Sequence, residues 1–210
     1  MIIHITLLLL GLTASPCLAE VTGEPGAPVK VSVYYETLCP DSQRFITNQL
    51  YPVWLNLMDI MEIDINAYGK ANDTEVDDGY VFECQHGPDE CEGNIMMACA
   101  REYIEEDEFF MTFLNCIMSE FEGASAGELC ALEAGVDFLP IDSCYSSEEG
   151  QYLLHEVGVK ESQLQPPLTY VPWILINDVF TADQLIEAQE DLQKVVCEAY
   201  TGDLPAACSS

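Results

Sequence analysis

The sequence predicts an α/β domain with the element order βαβ, a disulfide-rich helical insertion, then ββα. Three observations predict it. Alternating strand patterns flank a helical run between Val29 and Gly69, a helical cysteine-rich stretch spans about residues 72–167, and sheet returns at "VPWILI". A chain of 210 residues, 49% of them apolar, is the size of one such domain.

Residues 1–19 are expected to be a secretory signal peptide, and residues 20–210 the domain. "IIHITLLLLGLTASPCLA" is an apolar run that ends in the small-residue pattern Cys17, Leu18, Ala19. No other run is long enough to span a membrane, so a soluble mature protein is expected.

"VKVSVYY", Val29–Tyr35, alternates valines with polar residues and reads as a strand. From Ser42 to Leu57 the positions Phe45, Ile46, Leu50, Val53, Trp54 and Leu57 follow a helical period, with a kink expected at Pro52. "MEIDINAYG" alternates again and reads as the second strand. In the middle stretch, Ile95, Met96, Cys99 and Tyr103 share one helical face. Phe109, Phe110, Phe113, Leu114, Ile117 and Phe121 share another. These Met and Phe stripes are expected to be core. Ser125 with Glu128, and Ser146 with Glu149, have capping-box spacing. After Pro166 and Pro167, "VPWILI", Asn177-Asp178 and "VFT" read as a hairpin with a two-residue turn. Thr181 with Gln184 then caps a last helix that carries Leu185, Ile186, Leu192, Val195 and Val196.

Six Lys and Arg face 37 Asp and Glu, a formal net charge of −31. Nucleic acid is excluded as a partner, because binding phosphates needs clustered cations, and anionic membranes are disfavoured for the same reason. The acidic surface suits an acidic lumen, where carboxylates begin to take up protons and their mutual repulsion falls.

Of ten cysteines, Cys17 leaves with the signal peptide, so nine remain. Eight can pair in an oxidising compartment and one is left over. Cys39 is the natural one to be left over, because it stands alone upstream. Cys84, Cys91, Cys99, Cys116, Cys130, Cys144, Cys197 and Cys208 are then the disulfide cysteines, in a connectivity that sequence does not choose. No paired C-x-x-C knuckles are present, so no metal is expected, and no cofactor.

Cys39 stands where a strand becomes a helix, in "YYETLCPDSQRF". A thiol there faces unpaired backbone N–H groups that favour the thiolate. Pro40 suits the first turn. Ser42, one turn on, is placed to donate a hydrogen bond to the sulfur, while the carboxylates of Glu36 and Asp41 oppose a second negative charge. Pro172 begins the returning strand. A proline there, in this element order, resembles the cis-proline beside the active cysteine of thioredoxin folds, so Pro172 is expected to be cis and to lie next to Cys39.

"CQHGPDECEGNIMMAC", Cys84–Cys99, matches C-Q-H-G-x-x-E-C-x-x-N-x-x-x-x-C through Cys84, Gln85, His86, Gly87, Glu90, Cys91, Asn94 and Cys99. This segment resembles the signature of the gamma-interferon-inducible lysosomal thiol reductase family. "YVPW" and the strand into Cys39 look similar too. The resemblance implies a thioredoxin-like fold with a helical insertion, and reduction of protein disulfides in acidic endocytic compartments or outside the cell. It makes Cys39, Ser42 and Pro172 the catalytic positions. The family's reductases carry C-x-x-C, whereas this chain has Cys39 and Ser42, so the attacking thiol is kept and the resolving thiol is absent. In the signature, His86 is expected to organise the loop between bridged cysteines, and Gly87 to supply a backbone angle. Asn72-Asp73-Thr74 is an N-glycosylation sequon.

Two functions follow from the residues. One is a secreted or lysosomal reductase-family protein acting on protein disulfides through a single cysteine, with weakened or altered activity. The other is an inactive secreted protein that keeps the fold and binds an extracellular protein partner. Sequence does not decide between monomer and dimer.

Overall fold

A computed structural model describes residues 26–209. The expected signal peptide and Cys17 lie outside the described residues. Strand β1 (Val29–Tyr35) is central in a three-stranded sheet of order β2-β1-β5. It pairs in parallel with β2 (Met61–Ala67), Val29 opposite Met61 and Tyr35 opposite Ala67. It pairs antiparallel with β5 (Trp173–Ile176), Tyr34 opposite Trp173. Every residue of β1 except Lys30 is buried, as befits the central strand of the sheet.

The helical connection from β1 to β2 starts at Pro40, earlier than the pattern from Ser42 suggested. It runs as α1 (Pro40–Phe45), a π-helical turn (Ile46–Leu50) and α2 (Tyr51–Leu57). The irregularity expected at Pro52 lies just before it. Pro52 has no N–H and its ring crowds the carbonyl four residues back, and the turn ahead of it is widened, with Tyr51 N bonding Ile46 O.

The insertion does not begin as helix. Its first elements are a hairpin, β3 (Asn72–Val76) and β4 (Gly79–Glu83), whose largely exposed, polar β3 hides the strand signal. Helices follow: α3 (Pro88–Tyr103), α4 (Asp107–Glu120), α5 (Gly127–Ala134), α6 (Phe138–Tyr145) and α7 (Glu148–Ser162). Met96, Met97, Phe110, Met111, Phe113, Leu114, Ile117 and Met118 are buried in the main core. Tyr103, Phe109 and Phe121 fall outside those stripes and are exposed, at the terminal turns of α3 and α4. Neither capping box in the insertion forms. The Ser125 hydroxyl donates to Glu122 O within a short 3₁₀ turn. Ser147, not Ser146, precedes α7, and its hydroxyl donates to Cys144 O.

Asn177 and Asp178 adopt left-handed φ values of 52° and 61°, as a two-residue turn of this kind requires. The strand beyond them reduces to one bridge, Ile176 with Val179, because Asn177 turns back to β1, its Oδ1 accepting from Lys30 N. In α8 (Ala182–Ala199), the Thr181 hydroxyl accepts from Gln184 N as a cap. Ile186 is exposed, and the helix breaks at Asp191. Among the described residues no helix is long and apolar enough to cross a membrane.

Candidate active site

Cys39 is the free cysteine of the described chain. It caps the helical stretch that opens with Pro40, in extended conformation (φ −73°, ψ 119°), with its carbonyl accepting from Gln43 N at 3.0 Å. It is 8% exposed. The other eight cysteines pair as Cys84–Cys91, Cys99–Cys144, Cys116–Cys130 and Cys197–Cys208. Three of these bridges lie in the insertion and one pins the C-terminus to α8.

Ser42 is buried, and its hydroxyl has no hydrogen-bond partner, so the expected bond to the Cys39 sulfur is not made. The two carboxylates flanking the thiol also separate. Asp41 is exposed and pairs with Arg44 at 2.9 Å. Glu36 turns inward, 1% exposed, against Gly69. A Cβ at Gly69 would lie 2.5 Å from Glu36 Cγ, and φ there is +64°, so only glycine fits. Burial pushes the Glu36 carboxyl above its ordinary pKa, against the hydrogen bond from Lys70 N.

The loop between β1 and α1 is held from the signature segment. Asn94 Oδ1 accepts from Thr37 N at 3.0 Å and lies 2.9 Å from the Thr37 hydroxyl, which also reaches Glu90 O at 3.2 Å. Thr37 O accepts from Gln43 Nε2 at 2.9 Å. Gly93 allows this approach, since a Cβ there would lie 2.5 Å from Thr37 Oγ1. Gly87 has φ 95° at the N-cap of α3, the backbone angle expected of it. Glu90 Oε1 accepts from His86 N at 3.0 Å and Oε2 lies 2.6 Å from His86 Nδ1. His86 Nδ1 is also 3.3 Å from Glu36 Oε2, yet that oxygen makes no hydrogen bond, because the imidazole is aligned on Glu90. Glu36, His86 and Glu90 therefore meet, their ligand-type atoms all within 4.8 Å of one another.

The Val171–Pro172 bond is cis. Because Trp173 opposes Tyr34, Pro172 lies by the end of β1 from which the chain runs to Cys39. Gln85 is exposed beside His86, and Asn72 is exposed on β3. Sequence reasoning missed Thr37, Gln43 and Glu161. A polar run directly after a buried strand was the available signal for the first two. Glu161 gave none, since it joins the site by accepting the Gly69 N–H at 3.0 Å, 92 residues away in sequence. Burial, and secondarily Glu36, pushes the Glu161 carboxyl up to about 8.

The family described as "Gamma interferon inducible lysosomal thiol reductase (GILT)" matches residues 30–134. The Carassius auratus gamma-interferon-inducible lysosomal thiol reductase is 37% identical over 187 residues, covering 87% of this chain and 72% of the relative. The chain belongs to the gamma-interferon-inducible lysosomal thiol reductase family. The Mus musculus thiol reductase of the same name is 34% identical over 189 residues, covering 89% of this chain and 74% of its own. Among solved structures, Chlamydia trachomatis DsbA superposes with a TM-score of 0.55 at 14% identity, covering 90% of this chain and 96% of its own. That identity speaks for the thioredoxin/DsbA-like fold alone. In this thiol reductase-family protein, the segment Cys84–Cys99 lies against the loop that leads to Cys39, through Asn94 and Glu90 on Thr37.

Proposed function

We propose that this protein acts on protein disulfides through Cys39 alone, in the secretory, extracellular or endosomal–lysosomal space. One observation carries the reading. Eight cysteines are locked in disulfides, and the ninth is free at the head of a helical stretch, in a loop fastened on both sides. The Cys39 thiolate attacks one sulfur of a substrate disulfide. The substrate S–S bond breaks, the departing sulfur takes a proton, and a Cys39–substrate disulfide forms. The Ser42 hydroxyl cannot displace it. An external thiol attacks at the Cys39 sulfur and frees the second substrate thiol. A second external thiol regenerates Cys39 and leaves as the oxidised pair. Turnover by this route is weaker than in a C-x-x-C enzyme, because both later steps are bimolecular.

The burial of Cys39 and the unpartnered Ser42 hydroxyl favour a second reading, a binding protein that keeps the fold without turnover. Incubation with a disulfide-containing protein, followed by a non-reducing gel, separates the two. Adducts that vanish with reductant and are absent in Cys39→Ser support the first reading. Their absence in the native protein supports the second.

A further inference from the structure

We propose that Glu36, His86 and Glu90 form a binding site for a divalent cation of the zinc class. The residues come from two parts of the chain. Glu36 follows β1, and His86 and Glu90 lie in the signature loop, which the Cys84–Cys91 disulfide closes. His86 Nδ1 lies 3.3 Å from Glu36 Oε2 and 2.6 Å from Glu90 Oε2, and one ligand-type atom of each residue lies within 4.8 Å of the others.

The arrangement resembles a prepared ligand set. Each carboxylate has one oxygen fixed by a backbone amide: Glu36 Oε1 by Lys70 N at 2.7 Å, and Glu90 Oε1 by His86 N at 3.0 Å. Each turns its other oxygen toward the imidazole. Supporting bonds of this kind orient metal ligands and set their basicity. The second observation is Glu36 Oε2. Its side chain is 1% exposed and aimed into the cluster, yet the oxygen has no hydrogen-bond partner. Native proteins rarely leave a buried acceptor in that state. A cation would satisfy it and balance two carboxylates that share one imidazole.

The donor set selects the ion. One imidazole nitrogen and two carboxylate oxygens suit zinc in a tetrahedral site with a fourth position open to water. Magnesium and calcium prefer shells made of oxygen alone, so the imidazole nitrogen favours zinc over them. The half-exposed His86 supplies an entry from solvent. Binding replaces the hydrogen bond between His86 Nδ1 and Glu90. The cation takes the Nδ1 lone pair, the remaining ring proton sits on Nε2, and any proton on Glu36 is released. No sulfur takes part, so the site is independent of the Cys39 chemistry. An occupied site would tie the loop ahead of Cys39 to the insertion.

The test uses the mature protein with its disulfides intact. Zinc is titrated at neutral pH by calorimetry, with excess magnesium to occupy the many surface carboxylates, and cobalt is titrated as a spectroscopic substitute. One equivalent is expected, with a cobalt ligand-field band. His86→Ala and Glu36→Gln should each weaken binding by more than about tenfold, the least that even supporting partners of a metal site cost. Cys39→Ser should bind unchanged. No saturable binding in the native protein overturns the proposal. So does equal binding in both variants, which would place the cation on surface carboxylates. Should Glu36→Gln fail to fold, His86→Ala, a change at a half-exposed side chain, decides alone.

Discussion

Asn94 Oδ1 lies 3.0 Å from the Thr37 amide nitrogen and 2.9 Å from its hydroxyl, two residues before Cys39. Both residues are fully buried. Asn94→Ala leaves the Thr37 N–H without that acceptor in a buried site, whereas the hydroxyl keeps Glu90 O. A loss of about 2–3 kcal/mol is expected, from an unpaired buried donor and a small cavity. Thr37→Val, which loses only the hydroxyl, should cost about 1 kcal/mol, and Thr37→Ser less. Urea unfolding of the three variants measures this order.

Cys39 is expected to be the one alkylatable thiol of the mature protein. At 8% exposure it should react slowly in the folded state and fast on denaturation without reductant. Peptide mapping after alkylation checks it. Label on any of the eight paired cysteines, with Cys39 unlabelled, would remove the basis of the proposed chemistry.

Ser42→Cys places a second sulfur one turn from the first, a separation that disulfide geometry can bridge. Intramolecular resolution should then replace the external thiol, raising turnover of a disulfide substrate on the order of tenfold or more and abolishing adducts. Unchanged turnover in the folded variant would mean that resolution is not what this chain lacks.

Stability should be greater in mild acid than at alkaline pH. The Glu161 carboxyl is raised from 4.5 to about 8, so the folded protein holds this proton more tightly than the unfolded chain. Its penalty is nil below 4.5, grows as pH rises through this window, and is complete above 8. Asp64 and Asp73 set the lower limit. Burial opposes their ionisation, but Lys160, Ser32 and Asn66 around Asp64, and Tyr68 and His155 around Asp73, outweigh it. Their contribution is present above 3.8 and lost as pH falls through the lowered folded values. Urea midpoints at pH about 5 and 8 should differ in the native protein and differ less in Glu161→Gln. Equal slopes in the two proteins would contradict this assignment.

His155 helps to fasten the hairpin of the insertion, beside Tyr68, which donates to Asp73, and Gln151, which accepts from Tyr80 N. His155 Nδ1 lies 2.6 Å from Asp73 Oδ2, and its ring stacks on Tyr80 with centroids 3.9 Å apart. His155→Ala should cost about 1–2 kcal/mol. Amide exchange in β3 and β4 should accelerate while that of β1 is unchanged. Uniform acceleration would show that the hairpin unfolds only with the whole domain.

The strands β1 and β2, the helical stretch between them and the strand after Pro172 were legible in the sequence because one local period governed each. So was the isolation of Cys39, by parity. The signature segment was legible as a pattern, but its contacts were not. Glu36, Thr37, Glu90 and Asn94 are ordinary polar residues in one dimension. Their meaning depends on β1 delivering a loop onto the first turns of α3, some fifty residues away in sequence. The hairpin Asn72–Glu83 escaped notice because its β3 strand is solvated and one of its anchors, His155, is 82 residues from Asp73. The pairing of the eight cysteines and the inward turn of Glu36 were likewise decided by packing alone. Local propensity acts along the chain, whereas a buried charge, a disulfide partner or a ligand set is chosen by which surfaces the core brings into contact.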